Sequence, residues 1–156
     1  MTQPDKTTFV IDSDVLIADL LIDGKARKAL DLLRSHSWIT VIISPELIRE
    51  CTTVLAEFID DSVVSAWKEK ITTFGKCVTP TATGNKALAC AKEANAAHVL
   101  TYDQRLLGVK AGVNIKPHVE TSVKTPTSFL SIFEPKQLYE AVYDSSYEGP
   151  DQDPRE

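Results

Sequence analysis

Short apolar runs alternate along the chain with longer stretches in which apolar and polar residues recur with a helical period. Runs rich in β-branched residues predict strands, at 8–11, 37–44, 77–78, 98–102 and 119–126. Apolar residues recurring every three or four positions predict helices, at 14–22, 24–35, 45–58, 62–74, 86–96, 127–133 and 135–143. Strands separated by helices indicate an α/β fold of three layers, a central parallel sheet with helices on both faces.

The start of the helix predicted at 45–58 illustrates the local signals. Ser44 is a typical N-cap, and Pro45 suits the first helical position. Ile48, Cys51, Leu55 and Phe58 form one apolar stripe, which we expect to face the sheet.

Length and composition limit the classes of protein that fit. The chain has 156 residues, which fits one domain over 1–145. Its net charge of −5 gives it no general electrostatic attraction to polyanions. The segment 146–156 is acidic and rich in Asp and Pro, so we expect it to be a disordered tail. Three widely spaced cysteines, with no signal peptide and no membrane-spanning apolar run, favour a cytoplasmic protein that does not act at a membrane.

Acidic residues follow two of the predicted strands directly. Asp12 and Asp14 come after the first strand, in VIDSD, and Asp103 comes after the strand HVLTY. Glu50 lies at the margin of the apolar stripe of its helix, less than two turns from the end of another strand. Because the carboxyl ends of parallel strands share one edge of the sheet, these acids are expected to lie on the same rim.

Each acid taken alone has a structural explanation. Asp12 or Asp14 can cap the helix that follows, Asp103 can cap a short helix at 104–107, and Glu50 can be a half-solvated surface residue. Carboxylates packed together, however, repel one another unless protons or a cation intervene. Oxygen ligands of this kind suit Mg²⁺ or Mn²⁺, so the shared rim favours a metal site.

One resemblance gives the first two acids a different role. The stretch FVIDSDVL resembles the Asp-x-Asp motif of the haloacid-dehalogenase phosphatases. That resemblance implies that Asp12 accepts a phosphoryl group, Asp14 acts as general acid and Ser44 binds phosphate. No lysine precedes a final acid pair in the expected way, and Glu50 has no role, so this interpretation is the weaker one.

A second resemblance extends over residues 9–133. Four stretches, FVIDSDVLIADLL, ISPELIRECTTVLA, GNKALACAKEANAAHVLTYDQRLL and VKTPTSFL, are similar in order and spacing to segments of the PIN domain (PilT N-terminus) family. Members of that family are metal-dependent ribonucleases, and many are toxins of toxin–antitoxin systems. The resemblance implies a PIN-like fold and a divalent-metal-dependent endoribonuclease.

The same resemblance assigns roles to individual residues. Asp12, Glu50 and Asp103 match the family's acids and would hold Mg²⁺ or Mn²⁺. The residues that would orient water or these ligands are Ser13, Asp14, Ser44 and Thr101. The basic residues that would guide the RNA backbone are Lys25, Lys28 and Arg34, or Lys110, Lys116 and Lys124. RNA, an antitoxin protein and a second copy of the chain are the partners that the family implies.

The chain departs from the family pattern at one position. An acid usually opens the helix before the Thr-x-Asp strand, and here that place falls on Gly84 or Asn85. Asn85 can offer a neutral amide oxygen, but the negative charge of the site falls by one. The departure leaves two interpretations open: an endoribonuclease, and a catalytically weakened PIN-like module that binds RNA or a protein without cutting.

Overall fold

The computed structural model describes residues 4–81, 84–107 and 121–154. Its sheet has five strands, all parallel: β1 Asp5–Ile11, β2 Thr40–Ile43, β3 Lys76–Cys77, β4 Ala96–Leu100 and β5 Ser122–Lys124. The helices within these residues are α1 Ser13–Leu21, α2 Lys25–Arg34, α3 Pro45–Leu55, α4 Asp61–Phe74, α5 Lys86–Ala94, α6 Gln104–Leu107, α7 Pro126–Ile132 and α8 Pro135–Tyr143. In the described part of the chain, no helix is long and apolar enough to cross a membrane.

Both faces of the sheet are covered, as the sequence predicts. Successive residues of a strand point to opposite faces, and the central strand β1 divides its apolar residues accordingly. Phe9 and Ile11 belong to a core shared with α1 to α4 and α7, whereas Val10 belongs to a second core shared with α5. The three-layer α/β fold is therefore confirmed.

The second core depends on small residues of α5. Ala87, Cys90 and Ala91 are fully buried and pack against Val10 and Val99 of the sheet. Their small side chains let the helix backbone lie close to the strands. This close approach sets the position of the residues just before α5, including Asn85.

The strand order, β3-β2-β1-β4-β5, places the switch point of the sheet between β1 and β4. The chain adds strands on one side of β1 and then crosses to the other, so the loops after β1 and β4 diverge there and leave a crevice. The backbone N–H of Asp12 donates to Leu100 O at 3.0 Å, and the N–H of Thr101 donates to Lys124 O at 3.0 Å. These bonds extend the strand pairing and hold Asp12 and Thr101 side by side.

Several boundaries differ from those that the pattern predicts. Helix α3 ends at Leu55, so Phe58 leaves the predicted stripe and is 67% exposed. Strand β4 begins at Ala96 rather than at 98, because Asn95 adopts a left-handed conformation that ends α5 abruptly. Strand β5 lies within the predicted range 119–126, of which residues 119–120 are outside the described residues.

The C-terminal segment lies against α2 and the turn that follows it, where the sequence predicts a disordered tail. The Tyr147 hydroxyl lies 2.6 Å from His36 Nε2, Ser37 N donates to Asp151 Oδ1 at 2.7 Å, and Gln152 Nε2 donates to Arg34 O at 2.6 Å. Composition predicts disorder because the segment is acidic and rich in Asp and Pro. Its partners are polar groups more than a hundred residues away, which local composition cannot reveal.

Candidate functional site

The hydroxyl of Thr101 connects the acids at the switch point. Thr101 is fully buried, and its Oγ1 donates to Asp12 Oδ2 at 2.8 Å and accepts from the backbone N–H of Asp103 at 3.0 Å. The same Oγ1 lies 3.5 Å from Asp14 Oδ2. We call Asp12, Asp14, Thr101 and Asp103 the acid rim, because the ends of β1 and β4 bring all four together.

Asp12 has a structural role as well as a place in the rim. It is the N-cap of α1, and its Oδ1 accepts from the backbone N–H of Ser13 at 2.8 Å. Its other oxygen, Oδ2, points to Thr101. The capping role and membership of an acidic cluster therefore coexist, one for each carboxylate oxygen.

Asp14 is the most perturbed acid of the rim. Burial, and then the charges of Asp12 and Asp103, raise the pKa of Asp14 to about 6 against the lowering effect of a hydrogen bond from the backbone N–H of Tyr102. That N–H donates to Asp14 Oδ2 at 3.1 Å, while Asp14 Oδ1 is buried and has no hydrogen-bond partner within the described residues. A proton or a cation at Oδ1 would relieve both the repulsion and the missing contact.

This pKa predicts a measurable pH dependence. Because the pKa of Asp14 is higher in the folded state than in the unfolded chain, the folded state binds more protons between about pH 4 and pH 6, and stability falls as pH rises through that range. Asp14→Asn should remove this slope and raise the free energy of unfolding at pH 8 by about 1 kcal/mol, after allowance for solvent screening. Urea denaturation at pH 4.5 and pH 8 measures both effects. The control Asp23→Asn alters a carboxylate that is 83% exposed, and an equal gain there would contradict the assignment to Asp14.

Glu50 lies on α3 beside the rim and is paired with a lysine. Its Oε1 is 3.2 Å from Nζ of Lys86, the first residue of α5, and both side chains are about 40% exposed. The neighbouring Cys51 shows how close α3 is to the rim. Burial, and then the charges of Glu50, Asp12 and Asp14, raise the pKa of that thiol to about 12.

Asp103 is also engaged by a cation. Arg105 donates to it through Nη2 at 2.9 Å and Nε at 3.1 Å, and the hydrogen bonds of Arg105 lower the pKa of Asp103. The Arg105 side chain is 87% exposed. Exposed ion pairs contribute only about 0–1 kcal/mol, so neither this pair nor the one at Glu50 holds its acid firmly.

Within the described part of the chain, no three His, Cys, Asp or Glu side chains are arranged so that they could hold a metal ion together. The donors nevertheless fit a hard divalent cation in kind, since they are carboxylate oxygens and one of them, Asp14 Oδ1, is buried without a partner. Asp12 and Asp14 are the pair that fits best. Glu50 and Asp103 can join them only by leaving Lys86 and Arg105.

Two of the residues predicted to support the site serve as helix caps. Ser44 is buried and its Oγ accepts from Leu47 N at 3.1 Å at the start of α3. Asn85 is the N-cap of α5, and its Oδ1 accepts from the N–H groups of Ala87 at 2.9 Å and Leu88 at 3.1 Å. At the place of the expected third acid, the chain therefore carries a neutral side chain whose oxygen already has two donors.

The residues predicted to guide RNA differ in accessibility. Lys25 and Lys28 are exposed on α2, but Arg34 is buried, with its guanidinium 4.8 Å from the centre of the Phe74 ring. This burial disfavours the predicted contact of Arg34 with RNA, because the end of α2 packs inward there. Lys124 is half-buried at the end of β5 and donates to Ser122 Oγ. Lys110 and Lys116 lie outside the described residues.

Sequence reasoning missed the basic residues that lie nearest to the acids. Lys86 and Arg49 both line a groove of about 370 Å³ beside Glu50, and a second groove of about 290 Å³ continues from it past Ser44 to Gly84. Arg105 contacts Asp103 directly. The signal for Arg105 was its position two residues after Asp103, whereas nothing local connects Lys86 with Glu50.

Comparison with known proteins identifies a family whose function is unknown. A family model described as "Family of unknown function (DUF7384)" matches residues 3–155. No curated protein matches the chain.

Proposed function

Because the chain belongs to the DUF7384 family, whose function is unknown, its chemistry has to be inferred from the acid rim, and we propose a divalent-metal-dependent endoribonuclease. The observation that carries the proposal is the joining of Asp12 and Asp14 through Thr101 at the switch point of the sheet, with Asp14 Oδ1 buried and unpaired within the described residues. The carboxylates of Asp12 and Asp14, at the end of β1 and the start of α1, both approach one hydroxyl at the end of β4, which helix capping alone does not require.

The residues of the acid rim and Glu50 would have different roles in metal binding and catalysis. Asp12 and Asp14 would hold Mg²⁺ or Mn²⁺, with Glu50 and Asp103 as further ligands. The bound cation would supply an activated water and would stabilise negative charge on the phosphodiester. Thr101 would fix the orientation of Asp12 by its hydrogen bond, and it would position the loop after β4 by accepting from Asp103 N.

The groove beside Glu50 offers a path for the RNA backbone. Arg49 and Lys86 line it beside Glu46 and Glu50, and these two basic side chains would contact phosphates that an overall acidic protein otherwise repels. Lys25, Lys28 and Lys124 remain candidates for contacts farther along the RNA.

Lys86 provides a specific prediction, since it competes with a metal ion for Glu50. Lys86→Met should raise the affinity for Mn²⁺ about two- to fivefold, because the variant frees the Glu50 carboxylate and removes a positive charge from the rim. Isothermal titration with Mn²⁺ measures the change. Lys92→Met alters an exposed lysine near the other end of the same helix and is the control. Equal affinities for wild type and Lys86→Met would show that Glu50 takes no part in metal binding.

A second candidate is a PIN-like module that binds RNA or a protein but does not cut. Two observations favour it: Asn85 stands where an acid is expected and uses its oxygen as a cap, and both Glu50 and Asp103 are paired with basic side chains.

A phosphatase of the haloacid-dehalogenase type is a more remote candidate. The raised pKa of Asp14 beside Asp12 suits a general acid, but a role for Glu50 is still lacking.

One set of incubations separates these functions. Purified protein is incubated with single-stranded RNA and with a hairpin RNA in Mg²⁺, in Mn²⁺ or in chelator. The proposal predicts cleavage with either metal and none in chelator. Retention of RNA without cleavage would identify the binding module instead, and hydrolysis of p-nitrophenyl phosphate without RNA cleavage would favour the phosphatase.

The biological setting rests on the resemblance to PIN domains alone. We propose that the protein acts in the cytoplasm, which agrees with its three unpaired cysteines, Cys51, Cys77 and Cys90. That resemblance also predicts that the protein acts as a toxin, that it binds an antitoxin protein and that it forms a homodimer. Size-exclusion chromatography with light scattering tests the homodimer.

A further inference from the structure

A cavity of about 330 Å³ lies between α4, the ends of α1 and α2, and the C-terminal segment. None of the acid-rim residues lines it, and neither does Glu50. The cavity is therefore a separate feature that the proposed ribonuclease activity does not use.

One face of α4 supplies most of the cavity wall. Val63, Trp67, Lys70 and Phe74 follow one another at intervals of three or four residues, so they lie on the same side of the helix. Leu20 of α1 adds a further apolar side chain. The wall is thus largely aromatic and aliphatic on the side of α4, whereas Arg34, Gln152 and Asp153 make the opposite side polar.

The basic groups of this wall point to a ligand with a negative charge. Arg34, at the end of α2, lines the cavity together with Trp67 and Lys70 of α4. The ammonium of Lys70, one turn along the same helix face, is exposed and forms no ion pair with any residue that the structure describes.

We propose that this cavity binds a small aromatic monocarboxylate. The ring of the ligand would pack against Trp67 and Phe74, and its carboxylate would pair with Lys70. The volume suits a small molecule, and an apolar pocket with a few convergent polar groups is the usual form of such a site. Asp153, also in the wall, disfavours a ligand with a second negative charge.

The indole N–H signals report on this site directly. The chain has two tryptophans, so a ¹⁵N-labelled sample gives two indole cross-peaks, and Trp38→Phe identifies the peak of Trp67. Titration with 1-naphthoate should shift the Trp67 peak saturably, because the naphthalene ring would lie against the indole. The uncharged analogue 1-naphthalenemethanol should bind about tenfold more weakly, because it cannot pair with a cation.

Two lysines of α4 provide a matched pair of variants. Lys70→Met should weaken 1-naphthoate binding about fivefold or more, while Lys68→Met, two residues away and outside the cavity, should leave it unchanged. Absence of a saturable shift at Trp67 would show that the cavity holds only water and would overturn the proposal. Equal binding of the acid and the alcohol would also overturn it, as would equal loss in both variants.

Discussion

The Asp12→Asn variant is expected to cleave RNA at least about 1000-fold more slowly than the wild type in Mg²⁺ or Mn²⁺. Asp12 is the acid whose oxygen Oδ2 is fixed by Thr101 and whose charge raises the pKa of Asp14. Replacing it with an amide removes one negative charge from the centre of the rim, and it weakens the proposed metal ligand next to Asp14.

The fold should survive this substitution, which makes the comparison informative. Asn is as good an N-cap as Asp, so the bond from Ser13 N that starts α1 is retained. Asp23→Asn serves again as the control, because that carboxylate is exposed and remote from the rim. If Asp12→Asn unfolds at the same urea concentration as the wild type and cleaves RNA at the same rate, the acid rim is not the active site.

The second large effect concerns stability. Phe9→Ala should lower the free energy of unfolding by about 3–5 kcal/mol. Phe9 is 1% exposed in the central strand β1, stacks on the His98 ring at 4.4 Å, and makes edge contacts with Phe129 at 5.7 Å and Phe133 at 5.8 Å. Truncation leaves a cavity where β1, β4 and α7 meet, and the sheet cannot close over it.

Phe58 provides a matched control for this prediction. The sequence places Phe58 on the buried stripe of its helix, but the structure ends α3 at Leu55 and leaves the ring 67% exposed. Phe58→Ala should therefore cost less than about 0.5 kcal/mol. Urea denaturation followed by circular dichroism gives both values. Similar losses for the two variants would mean that the ring of Phe58 is covered in solution.

The fold was accessible from the sequence because its strongest signals are local. The apolar run that ends at Asp12, the Ser44-Pro45 cap and the small residues of α5 each specify an element and the face that it buries. Features that depend on distant partners were not accessible. The docking of Tyr147 on His36 and the inward turn of Arg34 onto Phe74 both join groups whose contact no sequence period encodes.

In the candidate site, too, some features follow from local sequence and others depend on distant partners. The position of Asp12, Thr101 and Asp103 at one edge follows from their places after β1 and β4, which the sequence indicates. The approach of Asp14 to the hydroxyl of Thr101 and the pairing of Lys86 with Glu50 could not be predicted from the sequence. Both depend on the rotation of α1 and the approach of α5 to α3, which packing determines.

Titration of the wild type and of Asp12→Asn with Mn²⁺, followed by electron paramagnetic resonance of the free ion, tests whether the acid rim holds a divalent cation. We expect saturable binding to the wild type, at least about tenfold weaker binding to Asp12→Asn, and competition by Mg²⁺. Binding that is absent from the wild type, or that has the same affinity in Asp12→Asn, would contradict the claim that the acid rim holds a divalent cation.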